Sequence, residues 1–178
     1  DLEEVGLAAV SYLPDRVDEG HGLSEQGVRS LRDQGVSVLV TVDCGGGSEE
    51  EVRLAASLGM ETIITDHHVI GETLPDACAV INHARSDSSY PYPYLTGAGM
   101  AFKLAEALFA QLGRPGPDHL LGLAAMGTVA DIGPLMDENR YIVKHGLDRL
   151  NEEPGVGVRA LMASAGVEPG SLDTEALS

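Results

Sequence analysis

The residues best suited to chemistry are three acids and a histidine pair, each directly following an apolar segment. Asp43 follows the run Val36–Val42 and precedes Cys44-Gly-Gly-Gly47. Asp66-His67-His68 follows a run ending at Thr65, and Asp131 ends the apolar stretch Leu120–Ala130. If the first two runs are parallel strands, their carboxyl ends are where such a sheet puts its ligands. Singly, each feature has a plain reading. An Asp after a strand is often a turn former, a His pair on a surface turn usually does nothing, and Asp131 could merely end its helix. The three glycines could form a phosphate-binding nest, but no Lys follows them, so this is not a Walker loop. Jointly they imply more. Adjacent strands are ~4.8 Å apart, so Asp43 and the His67 turn can reach one point. Two carboxylates at ~4 Å repel by roughly 1 kcal/mol in water and ~4 at an effective dielectric of 20. Such a cluster calls for a cation, and carboxylate with imidazole suits Mn²⁺, Fe²⁺ or Zn²⁺ better than Ca²⁺. An ion there would favour phosphoester hydrolysis.

The elements that must position these groups alternate at first between strand and helix. Leu7–Leu13 reads as a short strand ended by Pro14, and Ser24 caps a helix carrying Val28 and Leu31. Val36–Val42 is β-branched and apolar on both faces, as in a central parallel strand. Ser48 caps a second helix with Glu49, Glu50 and Glu51 in its first turn, where the dipole favours anions. Strands follow at Glu61–Thr65 and Ala77–Ile81. Asn82–Thr96 is a long surface loop; its Tyr90-Pro-Tyr-Pro-Tyr94 either stacks bases or packs on itself. From Gly97 the texture turns helical, over Gly97–Leu112, Leu120–Ala130 and Glu138–Leu150, with a weaker helix at Gly157–Ala165. Leu120–Ala130 has almost no polar face and is expected to be buried. The tail Gly166–Ser178 is expected to be loose. The fold class is α/β, a doubly wound, mostly parallel sheet followed by a helical segment.

Composition narrows the classes. The 178 residues are 43% hydrophobic, enough for a buried core, so disorder is excluded. No run reaches the ~18 apolar residues that cross a bilayer, and the start, Asp1-Leu-Glu-Glu4, does not resemble a signal peptide. Cys44 and Cys78 are too few for a disulfide framework or a CxxC site and read as reduced, which fits the cytoplasm. A thiol beside carboxylates also makes Cys44 a poor nucleophile. Eleven basic against 28 acidic residues give a net charge of −17. A nucleic-acid binder normally shows a basic footprint. Either the ligand is no polyanion, or cations bridge the two, or a basic surface lies on another part of a longer protein.

Several stretches, in order from about residue 7 to 150, resemble the DHH phosphoesterase superfamily, and within it the RecJ-like single-stranded-DNA-specific exonucleases. They are Tyr12-Leu-Pro-Asp-Arg16, Glu19-Gly-His-Gly-Leu23, Thr41-Val-Asp-Cys-Gly45 and Ile64-Thr-Asp-His-His68, then Gly97-Ala-Gly-Met-Ala-Phe-Lys-Leu104, Gly127-Thr-Val-Ala-Asp-Ile-Gly-Pro-Leu135, and Asn139-Arg140 with Gly146-Leu147. The resemblance implies Mn²⁺- or Mg²⁺-dependent hydrolysis of single-stranded DNA from its 5′ end, in recombination and repair. It implies that Asp43 is shared by two ions, that His67 and Asp131 complete one ion's shell, and that His68 contacts the scissile phosphate. Asp66 would support the histidines, and Arg16 would contact phosphate as a planar fork donor.

The chain also departs from that pattern. The family opens with a strand bearing a DxDG-type motif, and nothing like it precedes Leu7. The carboxy-terminal DHHA1 domain with its glycine-rich motif is not seen either. His21 stands where relatives commonly have Tyr, and Gly46-Gly47 replace an apolar-small pair. The expectation is a DHH domain over residues 1–150 without its opening strand, then a helix start and loose tail or linker over 151–178. Such a domain would be weakly active alone and meet DNA mainly through other parts of a parent protein. A phosphoesterase of short oligonucleotides or small nucleotides, and a non-catalytic binding domain, are the alternatives.

Overall fold

Three of the expected strands pair in parallel in the computed structural model, which describes residues 2–71 and 73–178. They are β1 (Val38–Val42), β2 (Glu61–Thr65) and β3 (Ala79–Ile81), in the order β1-β2-β3. Val42 pairs with Thr65 and Thr65 with Ile81, so the three carboxyl ends are level. That register brings the turns after β1 and β2 side by side. The chain forms two units, Asp1–Tyr90 and Pro91–Ser178.

In the first unit, α1 (Glu25–Asp33) starts where the Ser24 hydroxyl accepts the Gly27 N–H at 3.0 Å. The second helix, α2 (Glu49–Ser57), carries its three glutamates in the first turn as expected, although the Ser48 side chain makes no cap bond. Val28 and Leu31 of α1, Leu39 of β1, Ala55 of α2 and Met60 form one core. Two expectations fail here. Leu7–Leu13 is not a strand; Leu7, Val10 and Leu13 are exposed, and no ladder bonds form along it. Strand composition does not suffice, because a strand also needs a ladder of hydrogen bonds to a neighbour. Nor is β1 central or buried on both faces. It lies at an edge of the sheet among the described residues, with Val38 47% and Val42 51% exposed while Leu39 and Thr41 are buried. A β-branched run shows that both faces can be buried, not that both are.

The second unit is helical, with α3 (Gly97–Gln111), a 3-10 turn at Asp118–Leu120, α4 (Leu121–Ala130), α5 (Asp137–Glu152) and α6 (Val156–Ala165). Thr96 caps α3 by accepting the Gly99 N–H. Glycines let the helices approach closely. A side chain at Gly127 would collide with Ala98 of α3, and one at Gly146 with Ala125 and the Leu121 carbonyl of α4. This packing buries Leu121, Ala124, Ala125 and Thr128, but α4 is not buried all round, since Leu123 is 60% exposed. Tyr92 is buried, donates to the Pro134 carbonyl at 3.1 Å and meets Tyr94 edge-on.

The tail is not loose. Gly166 adopts a left-handed conformation (φ 70°) at the end of α6 and turns the chain back. Leu172 then joins Leu150, Val158 and Met162 in a core. The Asn151 amide clasps the Leu172 backbone, accepting its N–H at 2.8 Å and donating to its carbonyl at 2.9 Å. Polar composition hid the few apolar residues that do this. Asn151→Ala should destabilise the chain by about 1–3 kcal/mol, as expected for backbone groups left unpaired. Thermal melting would read the loss, and limited proteolysis should cut the released tail first.

Candidate metal centre

The sheet continues one bond beyond its strands into both functional turns. The Asp43 N–H donates to the Thr65 carbonyl at 3.0 Å, and the Asp66 N–H to the Ile81 carbonyl at 3.1 Å. Asp43 itself is left-handed (φ 63°), a conformation that Asp tolerates better than most residues. Two threonines fasten the turn from beneath. Thr41 Oγ1 donates to the Cys44 carbonyl and Thr65 Oγ1 to the Thr41 carbonyl, both at 2.7 Å.

Asp66 is 3% exposed and saturated with donors. Its Oδ2 accepts the Gly46 N–H at 2.8 Å. Its Oδ1 accepts the N–H groups of His67 (2.8 Å) and His68 (3.2 Å), and lies 2.7 Å from His68 Nδ1. Burial pushes this carboxyl up, but the His68 ring and the three backbone donors outweigh it and hold Asp66 below the usual carboxylate range. An ionised Asp66 keeps a proton on His68 Nδ1, which leaves Nε2 free to ligate a metal through its lone pair or, when it too carries a proton, to donate to a phosphate oxygen. Asn82, buried at the end of β3, donates to the His68 carbonyl at 2.9 Å and fixes that residue's backbone as well.

His67 Nε2 stands 3.0 Å from Asp43 Oδ1, and the His67 and His68 rings are 4.4 Å apart. One donor atom from each of Asp43, His67 and His68 falls within 4.8 Å of the others. A carboxylate and two imidazoles, ordered by bonds to a second carboxylate, fit a borderline divalent ion. Cys44 is no rival centre. Burial and then the charges of Asp66 and Asp43 push its thiol up, which disfavours the thiolate.

Of the residues picked from sequence, Asp43, Asp66, His67 and His68 come together in the first unit. Arg16 lies in that unit on the exposed turn 16–19. Asp131 belongs to the second unit, where it caps α4 with its N–H on the Gly127 carbonyl. The turn after it is held by Asn139, which is fully buried and donates to the Pro134 and Tyr94 carbonyls. Sequence reading missed the supports Thr41, Thr65, Asn82 and Asn139. The two threonines sit at buried strand positions, and a polar residue there is the signal that was available. Sequence reading left a phosphate nest open at the three glycines; the Gly46 N–H serves Asp66.

Comparison with known proteins gives the family and supports the fold. The family described as "DHH family, N-terminal domain" matches residues 2–128. The "Single-stranded-DNA-specific exonuclease RecJ" of Bacillus subtilis (strain 168) is 42% identical over 98% of this chain and 22% of its own length. "Crystal structure of exonuclease RecJ bound to manganese" superposes with a TM-score of 0.81 at 36% identity, over 93% of this chain and 41% of that one. The crystal structure of RecJ in complex with Mn²⁺ from Thermus thermophilus gives 0.73 at 36% identity, over 86% of this chain and 22% of that one. The chain thus spans between 22% and 41% of the length of these relatives. With the Asp-His-His turn at the carboxyl edge of a parallel sheet, and the family match running through it, the chain belongs to the DHH family.

Proposed function

We propose that the chain is the core of a metal-dependent phosphodiesterase that degrades single-stranded DNA from its 5′ end in the cytoplasm, in repair and recombination. The observation that carries this reading is the convergence of Asp43, His67 and His68 over a buried, donor-saturated Asp66. The names of its relatives supply the substrate class. Asp43 and His67 would hold Mn²⁺ or Mg²⁺. When bound, a divalent ion supplies positive charge to the phosphoryl oxygens and makes water a better nucleophile. His68 then donates from Nε2–H to the scissile phosphate, with Asp66 accepting from Nδ1–H on the far side of the ring. Arg16 offers two parallel donors to a phosphate. In a chain of net charge −17, such local cations are what let a polyanion approach.

The test is release of 5′-mononucleotides from 5′-labelled single-stranded DNA by the full-length gene product in Mn²⁺. Loss of that activity in His68→Ala, with thermal stability retained, supports the reading. Cleavage of dinucleotides but not of longer strands would replace it with a small-substrate phosphoesterase. DNA binding without cleavage would make the chain a binding domain.

A further inference from the structure

The segment from Tyr12 to Ser24 has one short turn and no helix or strand, yet two side chains order it, Glu19 at its ends and Asp15 within its turn. Glu19 accepts three donors: the Tyr12 hydroxyl, the Ser24 hydroxyl at 2.7 Å and the Asp15 N–H at 3.1 Å. Ser24 also caps α1, and the Tyr12 ring lies so close over Gly27 that a Cβ there would come within 2.8 Å of it. Both ends of the segment are thereby tied to the first turn of α1. Between the ties, the Asp15 carboxylate accepts the N–H groups of Val17 (2.8 Å) and Asp18 (3.1 Å). This closes a turn with Arg16 exposed near its tip. Past Glu19, Gly22 is left-handed (φ 90°), and a Cβ there would lie 3.5 Å from the Cys44 side chain, next to Asp43. The segment is therefore anchored at α1 and abuts the metal turn. The Tyr12 hydroxyl foremost, then Ser24 and the Asp15 N–H, hold Glu19 below the usual carboxylate range, so it is the ionised form that gathers the donors.

We infer that Glu19 is a positioning residue, whose carboxylate holds the Tyr12–Ser24 segment in the shape that presents Arg16 to a phosphate of the strand. This rests on the reading of Arg16 as a phosphate contact. An Arg on a turn that must order itself for each substrate gives up part of its binding energy to that ordering. Glu19 removes this cost without touching the strand or the metal.

A double-mutant cycle on the full-length gene product separates this from a structural role. The substrate is 5′-phosphorylated oligothymidylate in Mn²⁺. Arg16→Ala should raise KM by about 10- to 100-fold, as for one charge-assisted hydrogen bond. Glu19→Ala should raise KM about tenfold, with kcat and the Mn²⁺ concentration for half-maximal rate within about twofold of wild type. The double variant should be no worse than Arg16→Ala alone. Glu19→Gln, which keeps an acceptor oxygen, should recover part of the loss; should Glu19→Ala fail to fold, it takes that variant's place in the cycle. Additive effects, or a shifted Mn²⁺ requirement, overturn the inference, because Glu19 would then act on the fold or the metal turn. An Arg16→Ala enzyme with unchanged KM overturns the phosphate contact and the inference together. A wild type that leaves the DNA intact overturns the proposed function itself.

Discussion

Asp43→Asn is expected to weaken Mn²⁺ binding on the order of a hundredfold while leaving the apo protein folded. The choice of Asn follows from the backbone. Asp43 has φ 63°, and its N–H closes the sheet on the Thr65 carbonyl. Asn enters the left-handed region nearly as readily as Asp, so neither feature is lost. Ala there would add roughly 1–2 kcal/mol of backbone strain and confuse the result. What Asn removes is a full negative charge facing His67 at 3.0 Å. A unit charge at ~4 Å from another is worth about 1 kcal/mol in water and ~4 at a dielectric of 20, and a divalent ion doubles it. The Asp43 side chain is about half exposed, which selects the lower part of that range, and each 1.4 kcal/mol is roughly tenfold in affinity. Titration calorimetry measures the loss directly. Thermal melting gives a second reading: an ion at about 100 times its Kd adds ~2.7 kcal/mol to the wild type, and the variant should forgo most of that gain. Equal affinity in both proteins would mean that the ion sits elsewhere.

The positions of these groups were legible in the sequence because each follows a strand or helix whose pattern is strong. Val38–Val42 and Glu61–Thr65 are β-branched, and parallel pairing of two such strands puts Asp43 and Asp66-His67-His68 side by side without further information. Apolar periodicity located helices α1 to α6, and their expected bounds lie within a few residues of those observed, although among them only Ser24 and Thr96 cap through a side chain. What pattern does not encode is partnership. Leu7–Leu13 has strand composition but pairs with no strand among the described residues, and β1 is apolar on a face that stays half open. Leu172 is one of two leucines in a polar tail, and its burial follows from the Asn151 clasp and the core it joins. The same limit applies within the site. The family resemblance marked Asp66 as a support, but not that three of its four donors are backbone N–H groups, which any sequence would supply in principle.

Gly46 is where that backbone dependence becomes a measurable claim. Its N–H donates to Asp66 Oδ2 at 2.8 Å, and a Cβ at this position would stand 2.8 Å from the same oxygen and 3.4 Å from Ile70 Cγ1. The carboxylate has little room to retreat, because Oδ1 is engaged by both histidine N–H groups and by His68 Nδ1. Gly46→Ala should therefore tilt Asp66, break the Gly46 bond and loosen the His68 ring. Loss of such a support typically costs about 10- to 100-fold in metal affinity or activity, with about 1–3 kcal/mol of stability for the buried acceptor left short. Gly47→Ala is the control one residue away. No atom lies within 4 Å of a Cβ there, so it should be neutral, or stabilising by about 0.4–1 kcal/mol through the unfolded chain. The two variants differ by one position and add the same methyl group, so a difference between them reports on what the Gly46 methyl meets, Asp66 first and Ile70 second. The readouts are Mn²⁺ calorimetry and the proton resonance of His68 Nδ1, which should persist in Gly47→Ala and broaden in Gly46→Ala. If Gly46→Ala instead raises KM for DNA with metal binding intact, its N–H serves the substrate, and the three glycines are a phosphate nest after all.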